Sequence, residues 1–102
     1  MPTDLHGLAD IDRIIHEPAR LALTAILSVV ESADFLYLQR ETGLTKGNLS
    51  SHLAKLEGAG YVAIEKTYRG RIPLTLVRLT DKGTAAYKAY RARFKKFLEK
   101  TG

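Results

Sequence analysis

Apolar residues recur at helical spacing through most of this chain, and the breaks between the runs fall at glycine, proline and capping residues. Leu8, Ile11, Ile14 and Ile15 predict a short helical segment over 8–16. Glu17-Pro18 restarts the chain, because proline is tolerated at a first helical position where its missing N–H costs nothing. The helix that follows, over about 18–31, presents Leu21, Ala22, Ala25, Ile26, Val29 and Val30 on one broad face. A second helix is expected over 34–42, capped by Asp34, with Phe35, Leu36 and Leu38 inward. Gly43 ends it, Leu44 plugs the core, and Thr45 caps a third helix over 46–59 that stops at Gly60. Two short strands, 61–67 and 72–79, meet around Arg69-Gly70-Arg71, and Thr80-Asp81 opens a final helix with Asp81 complementing its dipole. The order helix, helix, helix, strand, strand, helix describes an α+β domain with a three-helix core and a two-stranded hairpin.

The third helix carries the most information. At about 100° per residue, Leu49, Leu53 and Leu56 fall within about 60° of one another and form a narrow core stripe. Gly47, Ser51, Ala54 and Gly58 lie opposite, flanked by Asn48 and Lys55 on one side and Ser50 on the other. Solvated helix faces usually display long charged residues and avoid glycine, which costs about 1 kcal/mol against alanine. A small polar face of this kind can press its backbone against another surface. Asn and Lys suit base edges, and Ser suits bases or phosphates. Its plainer alternative is an amphipathic helix with glycines at its ends. His52 and Lys46 sit at the borders of the stripe; His52 either reaches a phosphate or base, or packs on the neighbouring helix.

In the hairpin, Lys66, Arg69 and Arg71 cluster around Gly70, with the Tyr68 phenol beside them. Glycine supplies the backbone freedom of a tight bend, and Pro73 suits an edge strand. Arginines on a protruding loop enter a minor groove or clamp phosphates. Charged edges also protect a hairpin from aggregation, which is the competing explanation.

Charge sharpens this picture. The net +5 divides into a segment 1–34 with two basic against six acidic residues, net −4, and a segment 35–102 with fourteen against five, net +9. Basic charge confined to one part of a chain is the footprint expected for a polyanion partner, with a merely solvated basic surface as the alternative that charge alone leaves open. At 102 residues the chain forms one domain with a single core. The absence of cysteine excludes disulfides and thiolate metal sites, and His6 and His16 have no partners at metal-ligand spacing. No metal or cofactor is expected. The polar, acidic N-terminus does not read as a secretory signal, and the apolar run 21–30 is too short to span a bilayer, so a cytoplasmic protein without membrane contact is expected.

LTKGNLSSHLAKLEGAGYV resembles the helix-turn-helix of bacterial and archaeal winged-helix regulators of the MarR and ArsR type. LTDKG, residues 79–83, is similar to the segment that closes the wing and opens the last helix in MarR-type proteins. The resemblance spans about 18–83. It implies a compact stand-alone winged helix-turn-helix, over 18–79, that binds double-stranded DNA. It matches Thr45, Lys46, Asn48, Ser50, Ser51 and Lys55 to positions facing the major groove, and Arg69 and Arg71 to the wing tip. The recognition helix would be 46–59 and the wing 66–73. Without cysteine, the cysteine metal boxes of ArsR-type sensors cannot exist here, and no effector is indicated.

In the last helix, over 80–100, Gly83, Tyr87, Tyr90, Phe94 and Phe97 step by four and three, an a/d-type seam. Such a row either caps the domain's own core or pairs with a second copy. Its run of about three turns favours a symmetric homodimer through Tyr87, Tyr90, Phe94 and Phe97, with residues 8–15 able to complete the interface. An enzyme is not expected, because no nucleophile elbow, phosphate loop, metal cluster or paired carboxylates are present. A protein-interaction module of the same fold is the main rival, and double-stranded RNA, whose major groove is too narrow for a helix, is the weaker third reading.

Overall fold

The expected helices and hairpin form, joined by one further strand, in a computed structural model that describes residues 6–101. The order is α1 (His6–Ala9), α2 (Pro18–Leu27), β1 (Ala33–Asp34), α3 (Phe35–Thr42), α4 (Lys46–Gly58), β2 (Val62–Arg69), β3 (Ile72–Leu79) and α5 (Asp81–Thr101). No helix among the described residues is long and apolar enough to cross a membrane. Leu23 and Leu27 of α2, Leu38 of α3, Leu49, Leu53 and Leu56 of α4, and Val62 and Val77 of the hairpin base form one core. Each such side chain contributes about 1.5–3 kcal/mol by leaving water.

Local chemistry sets the element ends. Glu17 and Asp34 cap α2 and α3 by accepting from the Arg20 and Tyr37 N–H groups, and Gly43 closes α3 in the left-handed region with φ 70°. The hairpin register pairs Arg69 with Ile72, leaving Gly70-Arg71 as a two-residue turn. Gly70 has φ 63° and no described residue other than glycine has positive φ, which is the sign pattern of a type II′ turn. Thr80 caps α5 by accepting from Gly83 N–H at 2.9 Å, while its own N–H and hydroxyl bind the Tyr61 and Gly60 carbonyls. Gly83 sits so close to the hairpin base that a Cβ there would lie 2.0 Å from the Tyr61 carbonyl oxygen.

Four expectations are corrected. The sheet has three strands, in the order β1-β3-β2, because Ala33 and Asp34 pair antiparallel with Val77 and Leu76. A two-residue strand is too short to show any alternation. The N-terminal helical segment covers only the start of 8–16, since the Asp12 carboxylate accepts the Ile14 and Ile15 N–H groups at 2.9 and 3.2 Å and bends the chain into turns. The second helix stops at Leu27, and Ser28 donates its hydroxyl back to the Ala25 carbonyl. Val29 and Val30 then lie in an exposed turn, and the buried face is Leu23, Thr24 and Leu27 with Arg20. Apolar residues occur on nearly every side of 21–27, so spacing alone does not choose the face. Leu36 points outward at 65% exposure, and of the expected inward trio only Leu38 is fully buried.

A second, smaller cluster holds α5 to the N-terminal segment: Ile11 and Ile15 pack on Tyr90, whose hydroxyl pairs with His16 Nδ1 at 2.9 Å. The Tyr61 phenol donates to the Asp12 carboxylate. That bond, with burial and the charge of Asp12, pushes the Tyr61 pKa from 10.0 up to about 12. A phenol whose folded pKa is raised stabilises the fold below its unfolded pKa and loses that contribution as pH climbs through 10 to about 12. Tyr61→Phe is therefore expected to lower the urea midpoint at pH 8. The gap from wild type should narrow as pH rises toward 12; a pH-independent gap would rule out this linkage.

Candidate nucleic-acid interface

The geometry of α4 follows from its two ends and its stripe. Thr45 takes extended dihedrals and accepts the Asn48 N–H at 3.1 Å, fixing the first turn. Leu49 and Leu56 are fully buried and Leu53 is 2% exposed, so the opposite face is held outward. Thr45, Lys46, Gly47, Asn48, Ser50, Ser51, Ala54, Lys55 and Gly58 are all exposed. The first turn contains no acidic residue and begins with Lys46, the reverse of what the helix dipole favours in isolation. A cation there makes sense beside an external anion.

The hairpin projects its tip clear of the core. Tyr68 is 70% exposed, and Lys66, Arg69 and Arg71 are exposed with it. Strand alternation puts Lys66 and Tyr68 on the face that carries Val62 and Ile64, with Arg69 on the other. Lys66, Pro73 and Thr75 thus look across an open groove of about 750 Å³ at Lys46, Ser50 and Ala54 of α4. Leu36 and Phe35 line the same groove, which accounts for the outward turn of Leu36. Nothing in the sequence spacing separates a groove-lining Leu36 from a core one. The groove joins the Ser50 and Ala54 edge of α4 to Lys66 of the hairpin, and Asp34 and Glu57 line it as well. No cluster of three metal-ligating side chains occurs among the described residues.

His52 is seated between α4 and α2. Its Nδ1 lies 3.1 Å from Arg20 Nη1 and 3.7 Å from Glu17 Oε1. Glu17 in turn accepts the Arg20 N–H at 2.8 Å, and this bond, against the opposing cost of burial, holds its carboxyl below the usual carboxylate range. Sequence reading missed Arg20, since no local signal ties it to a partner 32 residues away.

The seam on α5 is only partly outward. Gly83 is buried against Tyr61, and Tyr90 is 5% exposed inside its own chain, so neither is available to a partner. Tyr90 is spent here because Ile11, Ile15 and His16 fold back across the helix. Tyr87, Phe94 and Phe97 remain half-buried, and Leu98 is 51% exposed. Phe94 stacks on Tyr90 with ring centroids 5.9 Å apart, and Phe97 follows at 6.4 Å from Phe94.

Residues 19–98 match the family described as Winged helix DNA-binding domain. An uncharacterized protein of Methanocaldococcus jannaschii is 38% identical over 79 residues, which cover 76% of this chain and 85% of that one. The transcriptional regulator homologue protein from Pyrococcus horikoshii OT3 has a similar structure, with a TM-score of 0.89 at 32% identity over 94% of this chain and 97% of its own. A structure assigned to the MarR family of transcriptional regulators, from Enterococcus faecalis V583, aligns with a TM-score of 0.75 over 99% and 94% of the two chains. At 22% identity it supports the fold alone.

Proposed function

The chain belongs to the winged helix DNA-binding domain family, a family of transcriptional regulators and not of enzymes, and from that premise we propose that it is a sequence-specific regulator of duplex DNA. The exposed face of α4 enters the major groove and the hairpin tip rests on the adjacent minor groove or phosphates. One observation carries this reading: the side of α4 turned away from the core is small and polar, and its Ser50 and Ala54 edge faces Lys66 of the hairpin across one groove.

The roles follow from chemistry. Asn48, Lys55, Ser50 and Ser51 offer short donors and acceptors to base edges where Gly47 and Ala54 allow close approach. Thr45 and Lys46 sit at the first turn, where N–H groups and a cation favour a phosphate. Lys66, Tyr68, Arg69 and Arg71 grip the sugar-phosphate strand beside the hairpin. His52 is assigned no direct contact, since Arg20 already engages its Nδ1. Residues 1–102 act as one DNA-binding unit in the cytoplasm. Residues 18–79 form its binding body and 80–100 its pairing helix. No cofactor or effector enters this scheme.

Homodimerisation belongs to the same proposal. Helix α5 has 21 residues, about 31 Å of helix. The molecule measures 60 × 26 × 21 Å, and its radius of gyration of 15.4 Å exceeds the ~13 Å of a compact chain this long. The far half of α5 carries Phe97 and Leu98 past the cluster that buries Tyr90, with Phe94 packed at the edge of that cluster. A twofold pair through that half would place two α4 helices about one DNA turn, ~34 Å, apart on a pseudo-palindromic site.

Affinity for duplex DNA is expected to fall steeply as salt rises from ~50 to ~200 mM, and Arg69→Ala to weaken binding to every sequence while reducing the salt slope by about one. A flat salt response would contradict phosphate-driven binding. In sedimentation, the wild type is expected to run as a dimer and Phe97→Glu as a folded monomer; a dimer that survives the substitution would sink the seam.

A further inference from the structure

Arg20 is a buried cation in a chain whose other described arginines are all exposed. A buried guanidinium is costly unless its donors are satisfied. Here Nε donates to the Ile14 carbonyl at 2.5 Å, and Nη1 donates to His52 Nδ1 at 3.1 Å. Because a guanidinium only donates, His52 Nδ1 is the acceptor in this bond. The Glu17 carboxylate stands 3.7 Å from the same Nδ1 and is itself held by the Arg20 N–H. The start of α2 therefore grips one side chain of α4 through groups whose own geometry is fixed.

That grip supplies something the core does not. Three leucines within about 60° of helix surface set which way α4 faces, but apolar contacts are non-directional and resist small rotations weakly. A hydrogen bond is directional. His52 lies four residues after Asn48 and three before Lys55, on the same flank of the helix. Any slip at His52 carries both of those side chains with it.

We propose that Arg20 is a positioning residue for DNA recognition, fixing through His52 the rotation of α4 at which Asn48 and Lys55 meet base edges. His52 acts as a tether and not as a phosphate contact. This rests on the DNA-binding reading above.

The test uses the full chain, a duplex enriched from a random pool and a scrambled duplex, with thermal melting as a check on folding. His52→Ala is expected to lower the enriched-to-scrambled affinity ratio about tenfold while leaving the salt slope unchanged. His52→Gln, whose amide oxygen can accept the Arg20 bond, restores the ratio to within about threefold. Arg20→Lys keeps the charge but not both bonds, and lowers the ratio as His52→Ala does. The double variant loses no more than either alone, because both remove one coupling. A salt slope smaller by about one in His52→Ala would make His52 a phosphate contact and overturn the proposal, as would an unchanged ratio or additive losses. A wild type that binds the scrambled and enriched duplexes equally, or neither, fails the DNA-binding reading itself and the tether falls with it.

Discussion

A helix can turn only one face to its own core, and in α4 Leu49, Leu53 and Leu56 settle which. With all three at 2% exposure or less, rotating α4 would expose leucine and bury Ser51 or Lys55 without partners. The rest of the surface inherits this constraint. Gly47, Ser51, Ala54 and Gly58 must face outward, and the α4 flank bearing Ser50 must look toward the hairpin. The hairpin is fixed in turn, since Val62 and Val77 at its base belong to the same core as the leucines. One burial decision thus sets two elements that are separate in sequence on either side of one groove.

The N-terminal segment ties the remaining pieces to that frame. Over residues 10–17 it touches α5 through Ile11, Ile15 and His16, the hairpin base through Asp12 and Tyr61, and α2 with α4 through Ile14 and Glu17. Apart from the longer Glu17–His52 pair at 3.7 Å, these links are hydrogen bonds or buried contacts. The Thr80 cap and Gly83 then clamp the start of α5 onto Gly60 and Tyr61, immediately after α4. Helices α5 and α4 are therefore joined on both sides by short, directional contacts, as the proposed dimeric arrangement would require.

How much of this was legible in the sequence depends on the range of the interaction concerned. Capping is local, so Asp34, Thr45 and Thr80 were readable with their helices, and a three-leucine stripe identified the inner face of α4 unambiguously. Where apolar residues surround a helix, as over 21–27, periodicity could not pick the face, and Val29 and Val30 were placed inside when they lie in an exposed turn. The α5 seam was read correctly as a row of aromatics. Whether a row packs on its own chain or on a partner depends on what folds back across it, and Ile11, Ile15 and His16 claim Tyr90. The Arg20–His52 bond spans 32 residues and left no trace in spacing at all. The exposure of the proposed contact residues on α4 was legible because the leucine stripe fixes which face turns away from the core.

The proposed reading of base sequence by the small polar face of α4 is tested most directly by selecting bound sequences from a random duplex pool with the full chain. Enrichment of one motif arranged as two inverted half-sites about one helical turn apart is expected. Recovery of a pool no different from the input, under salt conditions where the protein retains duplex, would show that the surface grips phosphates without reading bases and would contradict it.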